Sequence, residues 1–153
     1  MVVGHRWCVR LALALVLGAA ANGAGALEYN RLSLSNEAIA GFDAVAYWQS
    51  GQPTQGSRAY SYEWGDAVWL FASEANLEKF KAAPERYAPA LGGYCAYAMT
   101  KGIRADIHPY FYKIEDKKLF FFFSAESRDR FVADPQALQR AENEWSIVST
   151  QSF

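Results

Sequence analysis

The sequence has few residues of the types that bind metals or act as nucleophiles: its 153 residues include only two cysteines and two histidines. There is no C-x-x-C pair, which excludes a dithiol redox mechanism. Patterns such as G-x-S-x-G, the phosphate loop, the dinucleotide fingerprint and H-E-x-x-H are also missing. Lysine and arginine total 15 against 16 acidic residues, so the basic footprint of nucleic-acid binding is missing too.

The first 26 residues have the pattern of a secretory signal peptide. Arg6 and Arg10 precede an apolar run over residues 11–21, and Ala24 and Ala26 form the A-x-A pattern that signal peptidase favours. The run is short for a membrane span, although an uncleaved anchor is the alternative. We therefore expect cleavage after Ala26, a periplasmic or secreted protein, and no stable membrane insertion afterwards.

Removal of residues 1–26 leaves one domain, 27–153, with a single thiol and a single imidazole. Cys8 and His5 leave with the signal peptide, so Cys95 and His108 remain. An exported chain with one cysteine cannot form an internal disulfide. Cys95 is then a free thiol, an intermolecular partner or a metal ligand.

The remaining chain predicts an α+β fold built from two strand–turn–strand–helix units, packed around one core, with a C-terminal helix from Pro135 to about Val148. Ser73 is a plausible N-cap for the first unit's helix. The second unit repeats the first as an internal pseudo-repeat. Three residues recur after fifty positions and five after fifty-one: Tyr60/Tyr110, Tyr62/Tyr112, Asp66/Asp116, then Phe71/Phe122, Ser73/Ser124, Phe80/Phe131, Ala82/Ala133 and Pro84/Pro135. The dense run 120–123 predicts a central strand covered on both faces.

Three segments carry a family resemblance: GFDAVAYWQSGQPTQGS, YSYEWGDAVWLFASEANLEKFKAAPERYAP and LGGYCAYA. Together they resemble exported proteins of the YHS-domain family, and the match is best over residues 41–125. The resemblance implies a small module associated with metal handling, particularly of copper and other heavy metals. It also implies a thiolate site, whose cysteines would stand at positions that here hold Ala46, Ala72 and Asn76. The usual thiolate site is therefore absent from this chain.

Any metal site must then use other residues. We expect copper or zinc to bind Cys95 and His108, with Asp43 or Asp106 as possible further ligands. Each has an alternative interpretation: Cys95 as a small buried apolar residue, His108 as a surface histidine at a turn, and Asp43 as a turn cap. A Cys95–His108 nucleophile pair has no evident third group to orient it, so we expect binding and no catalytic residue.

The second hypothesis is a binding module without metal, whose ligand is a small molecule or a partner protein. Two glycines and five aromatic residues would line its pocket: Tyr47, Tyr62, Trp64, Gly92, Gly93, Tyr94 and Tyr97. Core packing explains most of these aromatic residues equally well. A weaker alternative is a single-thiol redox accessory that forms mixed disulfides through Cys95. An oligomer is compatible with all three hypotheses.

Overall fold

A computed structural model describes residues 29–30 and 36–151. The predicted signal peptide, its cleavage site after Ala26 and part of the segment that follows lie outside these residues. The described chain contains two separate two-stranded antiparallel sheets together with six α-helices, which confirms the α+β fold class. None of the helices in the described ranges is both long and apolar enough to cross a membrane.

The first unit contains the predicted hairpin and the predicted helix capped by Ser73. Its elements are a 3-10 turn (Ile39–Gly41), α1 (Ala46–Gln49), β1 (Ser57–Trp64), β2 (Ala67–Phe71), α2 (Glu74–Ala82) and α3 (Pro84–Tyr87). The Ser73 hydroxyl accepts the Asn76 N–H at 3.2 Å and so caps α2. Pro84 ends α2 and begins α3, because its fixed φ suits the first position of a helix.

The second unit has the same order of elements, followed by the predicted C-terminal helix. Its elements are a 3-10 turn (Leu91–Gly93), α4 (Ala96–Met99), β3 (Tyr112–Glu115), β4 (Lys118–Phe121), α5 (Ala125–Ala133) and α6 (Ala137–Val148). Ser124 caps α5 as Ser73 caps α2, and Ser127 completes a capping box with it. Helix α6 packs on α4 and α5.

The repeat extends further towards the N-terminus than the aromatic residues indicate. Residues 38–44 and 90–96, fifty-two positions apart, make the same backbone hydrogen bonds. The Gly41 N–H donates to the Ala38 carbonyl at 2.9 Å, and the Gly93 N–H donates to the Ala90 carbonyl at 3.0 Å. Three successive residues have positive φ in each turn: Ile39, Ala40 and Gly41 in one, Leu91, Gly92 and Gly93 in the other. Gly92 and Gly93 are therefore explained by the conformation of this turn, because glycine adopts positive φ without steric cost.

The hairpins differ from the sequence expectation by one residue of register. Tyr62 pairs with Trp69, whereas Tyr112 pairs with Phe121. Counting back from the serine caps, Trp69 corresponds to Phe120, so Tyr62 and Tyr112 are not equivalent. Side chains alternate along a strand, and a one-residue shift therefore places these tyrosines on opposite faces of their units. Both hairpin turns contain two residues, and six residues separate each turn from its serine cap. The change of offset from fifty to fifty-one therefore does not come from a residue added in the second strand.

Strand β4 separates the interior into two apolar clusters. Leu119 and Phe121 belong to one cluster and Phe120 and Phe122 to the other, while Ile107 packs against both. Both faces are thus covered, as predicted. Among the described residues, however, β4 pairs with β3 alone and is extended only by an isolated parallel bridge between Cys95 and Phe121, so it is not the central strand of a sheet. The run ends at Phe123, whose side chain is 64% exposed.

The left-handed turns generate a prediction about Gly93. A Cβ at this position would lie 3.1 Å from Pro89 Cγ, and its φ of +75° disfavours any side chain. We expect Gly93→Ala to lower the free energy of unfolding by about 1–2 kcal/mol, measured by urea denaturation. Ala40→Gly relieves the same strain in the first turn and should raise the free energy of unfolding by up to about 1 kcal/mol. A similar loss in both variants would contradict this explanation.

Candidate functional site

Asp43 is a fully buried carboxylate that holds three segments of the first unit together. Its Oδ1 accepts the N–H groups of Val45 at 2.8 Å and Ala46 at 3.2 Å, at the start of α1. Its Oδ2 accepts the Ala72 N–H at 2.9 Å and the Asn76 Nδ2 amide at 2.7 Å. Both oxygens are therefore used within the protein, as expected for a buried charge. The cap interpretation describes this geometry, and a metal ion would have to displace these donors.

Cys95 occupies the position in the second unit that Asp43 occupies in the first. Its Sγ accepts the Phe123 N–H at 3.4 Å, and Phe123 corresponds to Ala72 when counted from the serine caps. The backbone agrees: the Asp43 N–H donates to Thr54 at 2.8 Å and the Cys95 N–H to Ala105 at 3.0 Å. The thiol is 2% exposed and lies in the second apolar cluster. This equivalence gives Cys95 an architectural role, as a weak acceptor in the place of a carboxylate.

His108 and Asp106 lie near Cys95 in the chain but differ from it in exposure. Both are exposed at the surface, whereas Cys95 is buried. The His108 ring contacts Tyr110 and Phe111, with centroids 5.6 Å and 5.1 Å away, and its Nδ1 accepts the Tyr110 N–H at 3.4 Å. Within the described ranges, no three histidine, cysteine, aspartate or glutamate residues come together as a metal site.

The predicted aromatic pocket residues are divided between the two cores. Tyr47 is 1% exposed and its hydroxyl donates to the Pro109 carbonyl at 3.0 Å, and burial raises its pKa well above the ordinary range of a phenol. Tyr62 and Trp64 pack against the same cluster, while Tyr94 and Tyr97 pack against the other. These five rings therefore do not converge on one cavity. The buried residues Gly92 and Gly93 form the left-handed turn already described.

A cleft of about 270 Å³ opens elsewhere, between the loop after α3 and the tip of the β3–β4 hairpin. Charged residues and an apolar wall line it: Tyr29, Glu85, Arg86, Ala88, Pro89, Ala90, Lys117 and Lys118. The Ala90 N–H donates to the Leu119 carbonyl at 2.8 Å and so joins the loop to the hairpin. The two walls of the cleft are therefore tied together by a backbone hydrogen bond.

The electrostatics of this cleft are dominated by cations. It carries Arg86, Lys117 and Lys118 against the single carboxylate of Glu85. Tyr29 forms part of its wall, and desolvation, with a smaller contribution from the charge of Glu85, raises the pKa of its phenol to about 12. Its hydroxyl consequently remains protonated at neutral pH. The cleft thus offers positive charge beside a neutral phenol.

Sequence reasoning did not identify this cleft. Arg86 and Lys117 are 31 positions apart, and no motif connects them. The only sequence signal is a pair of adjacent lysines at a predicted hairpin turn. For Cys95, by contrast, a signal was present: the similarity of residues 38–44 to 90–96 aligns it with Asp43.

Comparison of the chain with protein-family models, with curated proteins and with solved structures found no match.

Asp43 generates a prediction about stability. In Asp43→Asn the side-chain amide must face at least one N–H donor that now bonds to a carboxylate oxygen, and that donor remains buried. We expect the free energy of unfolding to fall by about 3 kcal/mol, measured by urea denaturation. Asp129→Asn removes an exposed carboxylate on α5 and should change it by no more than about 0.5 kcal/mol. Equal effects would show that the four hydrogen bonds of Asp43 contribute little.

The raised pKa of Tyr29 predicts a loss of stability at alkaline pH. Its pKa is 10.0 ordinarily and about 12 in the fold, so the unfolded chain loses the proton first. The stabilisation is present below pH 10 and is lost as pH rises towards 12, because deprotonation then favours the unfolded state. We expect the free energy of unfolding to fall by about 2–3 kcal/mol less in Tyr29→Phe over this pH range, measured by urea denaturation. An alkaline loss of the same size in Tyr29→Phe and in the unsubstituted protein would contradict this prediction.

Proposed function

We propose that this chain is an exported, periplasmic YHS-like domain. It binds a small molecule in the cleft between the loop after α3 and the β3–β4 hairpin. The observation that carries the proposal is the cleft itself: an apolar wall and three cations line an open cleft of about 270 Å³ next to a neutral phenol. Ligand sites are commonly concave and largely apolar, with a few polar groups that orient the ligand. The assignment to the YHS family is supported by the three quoted segments, and export by the N-terminal pattern.

Metal handling through Cys95 and His108 is the alternative function, and its donor set is less favourable. The Cys95 sulfur would have to become accessible and give up the Phe123 N–H before it could bind copper or zinc. The role of a packed acceptor explains the cysteine that follows Gly93 and Tyr94, and this explanation requires no metal. The geometry therefore favours the cleft over the thiol as the binding site.

One experiment separates the two functions: amide chemical shifts of the mature protein recorded by two-dimensional NMR. Addition of a mixed fragment library should move the amides of Ala90, Lys117 and Lys118 in a saturable manner. Cu(I) and Zn(II), added under reducing conditions, should leave the amide of Phe123 in place, because the thiol that it contacts stays buried.

Two variants serve as controls. Ala88→Trp fills the cleft and should abolish the fragment-induced shifts, while Cys95→Ala should retain them. A stoichiometric metal-induced shift of the Phe123 amide that disappears in Cys95→Ala would replace the proposal with the metal-handling function. Failure of every fragment to saturate the cleft would also reject it.

A further inference from the structure

We infer that the ligand of this cleft is a small organic anion, with its charged group at Arg86 and Lys117 and its apolar body against Tyr29 and Pro89. The inference rests on the proposed function and adds the chemical class of the ligand. It depends on the charge, the rigidity and the size of the cleft.

The charge of the cleft is positive although the chain as a whole is slightly acidic. Lys118 is partly neutralised, because its Nζ lies 2.5 Å from Glu142 Oε1 outside the cleft. Arg86 and Lys117 take part in none of the salt bridges formed among the described residues. Glu85 is the single acidic residue of the lining, so an excess of positive charge remains. Arginine is suited to bind a carboxylate through two parallel N–H groups.

The turn fixes the backbone that carries Lys117, and a ring contact holds the side chain of Arg86. Lys117 is the second residue of a two-residue hairpin turn, where Asp116 and Lys117 have φ values of 49° and 59°. The Arg86 guanidinium lies 5.5 Å from the centroid of the Tyr87 ring, a cation–π distance. The Arg86 guanidinium is thus partly ordered before an anion arrives, which lowers the entropic cost of binding.

The apolar wall is rigid and small. The ring of Tyr29 packs edge-on against Trp69 and tilted against Trp64, with centroids 5.1 Å away in both cases. Pro89 is buried and adds a second rigid surface. A volume of about 270 Å³ lies just under the usual range for drug-sized ligands, which is roughly 300–1,000 Å³. The cleft therefore suits an acid with one ring or a short chain.

Three compounds with the same apolar body and different charges test the inference. The amide shifts of Ala90, Lys117 and Lys118 are titrated with 3-phenylpropanoate, phenylalanine and phenethylamine, and with inorganic phosphate as an anion without an apolar body. We expect 3-phenylpropanoate to bind at least about tenfold more tightly than the other three compounds.

The variants connect the binding to named side chains. Arg86→Gln should weaken 3-phenylpropanoate about tenfold, and Glu85→Gln should tighten it by removing the opposing charge. Arg128→Gln, on helix α5 and outside the cleft lining, is the matched control and should have no effect.

Four results would overturn the inference. Equal or tighter binding of phenylalanine or phenethylamine would reject the anionic class while leaving small-molecule binding intact. Equal binding of phosphate would reject the apolar body. An Arg86→Gln effect no larger than that of Arg128→Gln would reject the assigned anchor. Saturation by none of the four compounds, with neutral fragments still binding, would reject the inference alone; no binding of any fragment rejects the proposed function as well.

Discussion

A buried acceptor beneath the strand-to-helix junction is the constraint on which each half of this fold depends. In the first unit the acceptor is the carboxylate of Asp43, which receives hydrogen bonds from α1, from the residue before the Ser73 cap, and from α2. These elements are short, and helices of four residues have little stability in isolation. The hydrogen bonds of the Asp43 side chain supply stabilisation that such short helices lack on their own.

The second unit meets the same constraint with a weaker acceptor. Cys95 receives one N–H, from Phe123, whereas Asp43 receives four donors in all. Ser127, which corresponds to Asn76, bonds instead within the capping box of Ser124. The surroundings of Cys95 are accordingly more apolar, and its sulfur packs like a small hydrophobic group. The cysteine that invites a metal or redox interpretation is thus explained by the architecture of the repeat.

The candidate binding site lies where the two units differ. The first hairpin turn consists of Gly65 and Asp66, and the second of Asp116 and Lys117, followed by Lys118. Only the second turn brings two lysines towards helix α3, which contains Arg86. The framework is therefore repeated in both units, whereas the cleft is not part of the repeat. This separation of framework and site is common, because function depends on local chemistry more than on fold.

The sequence by itself determined the α+β class, both hairpins, the serine caps and the final helix, because local signals encode each of them: alternation, turn residues, N-cap side chains and helical spacing. It also contained the equivalence of Asp43 and Cys95 in the similarity of two short segments. The tertiary structure alone decided the register that separates Tyr62 from Tyr112, the division of the aromatic residues between two cores, and the cleft. A register depends on pairing across strands, and a cleft depends on residues distant in the chain, such as Tyr29, Arg86 and Lys117. No local pattern records which surfaces meet when the two units pack.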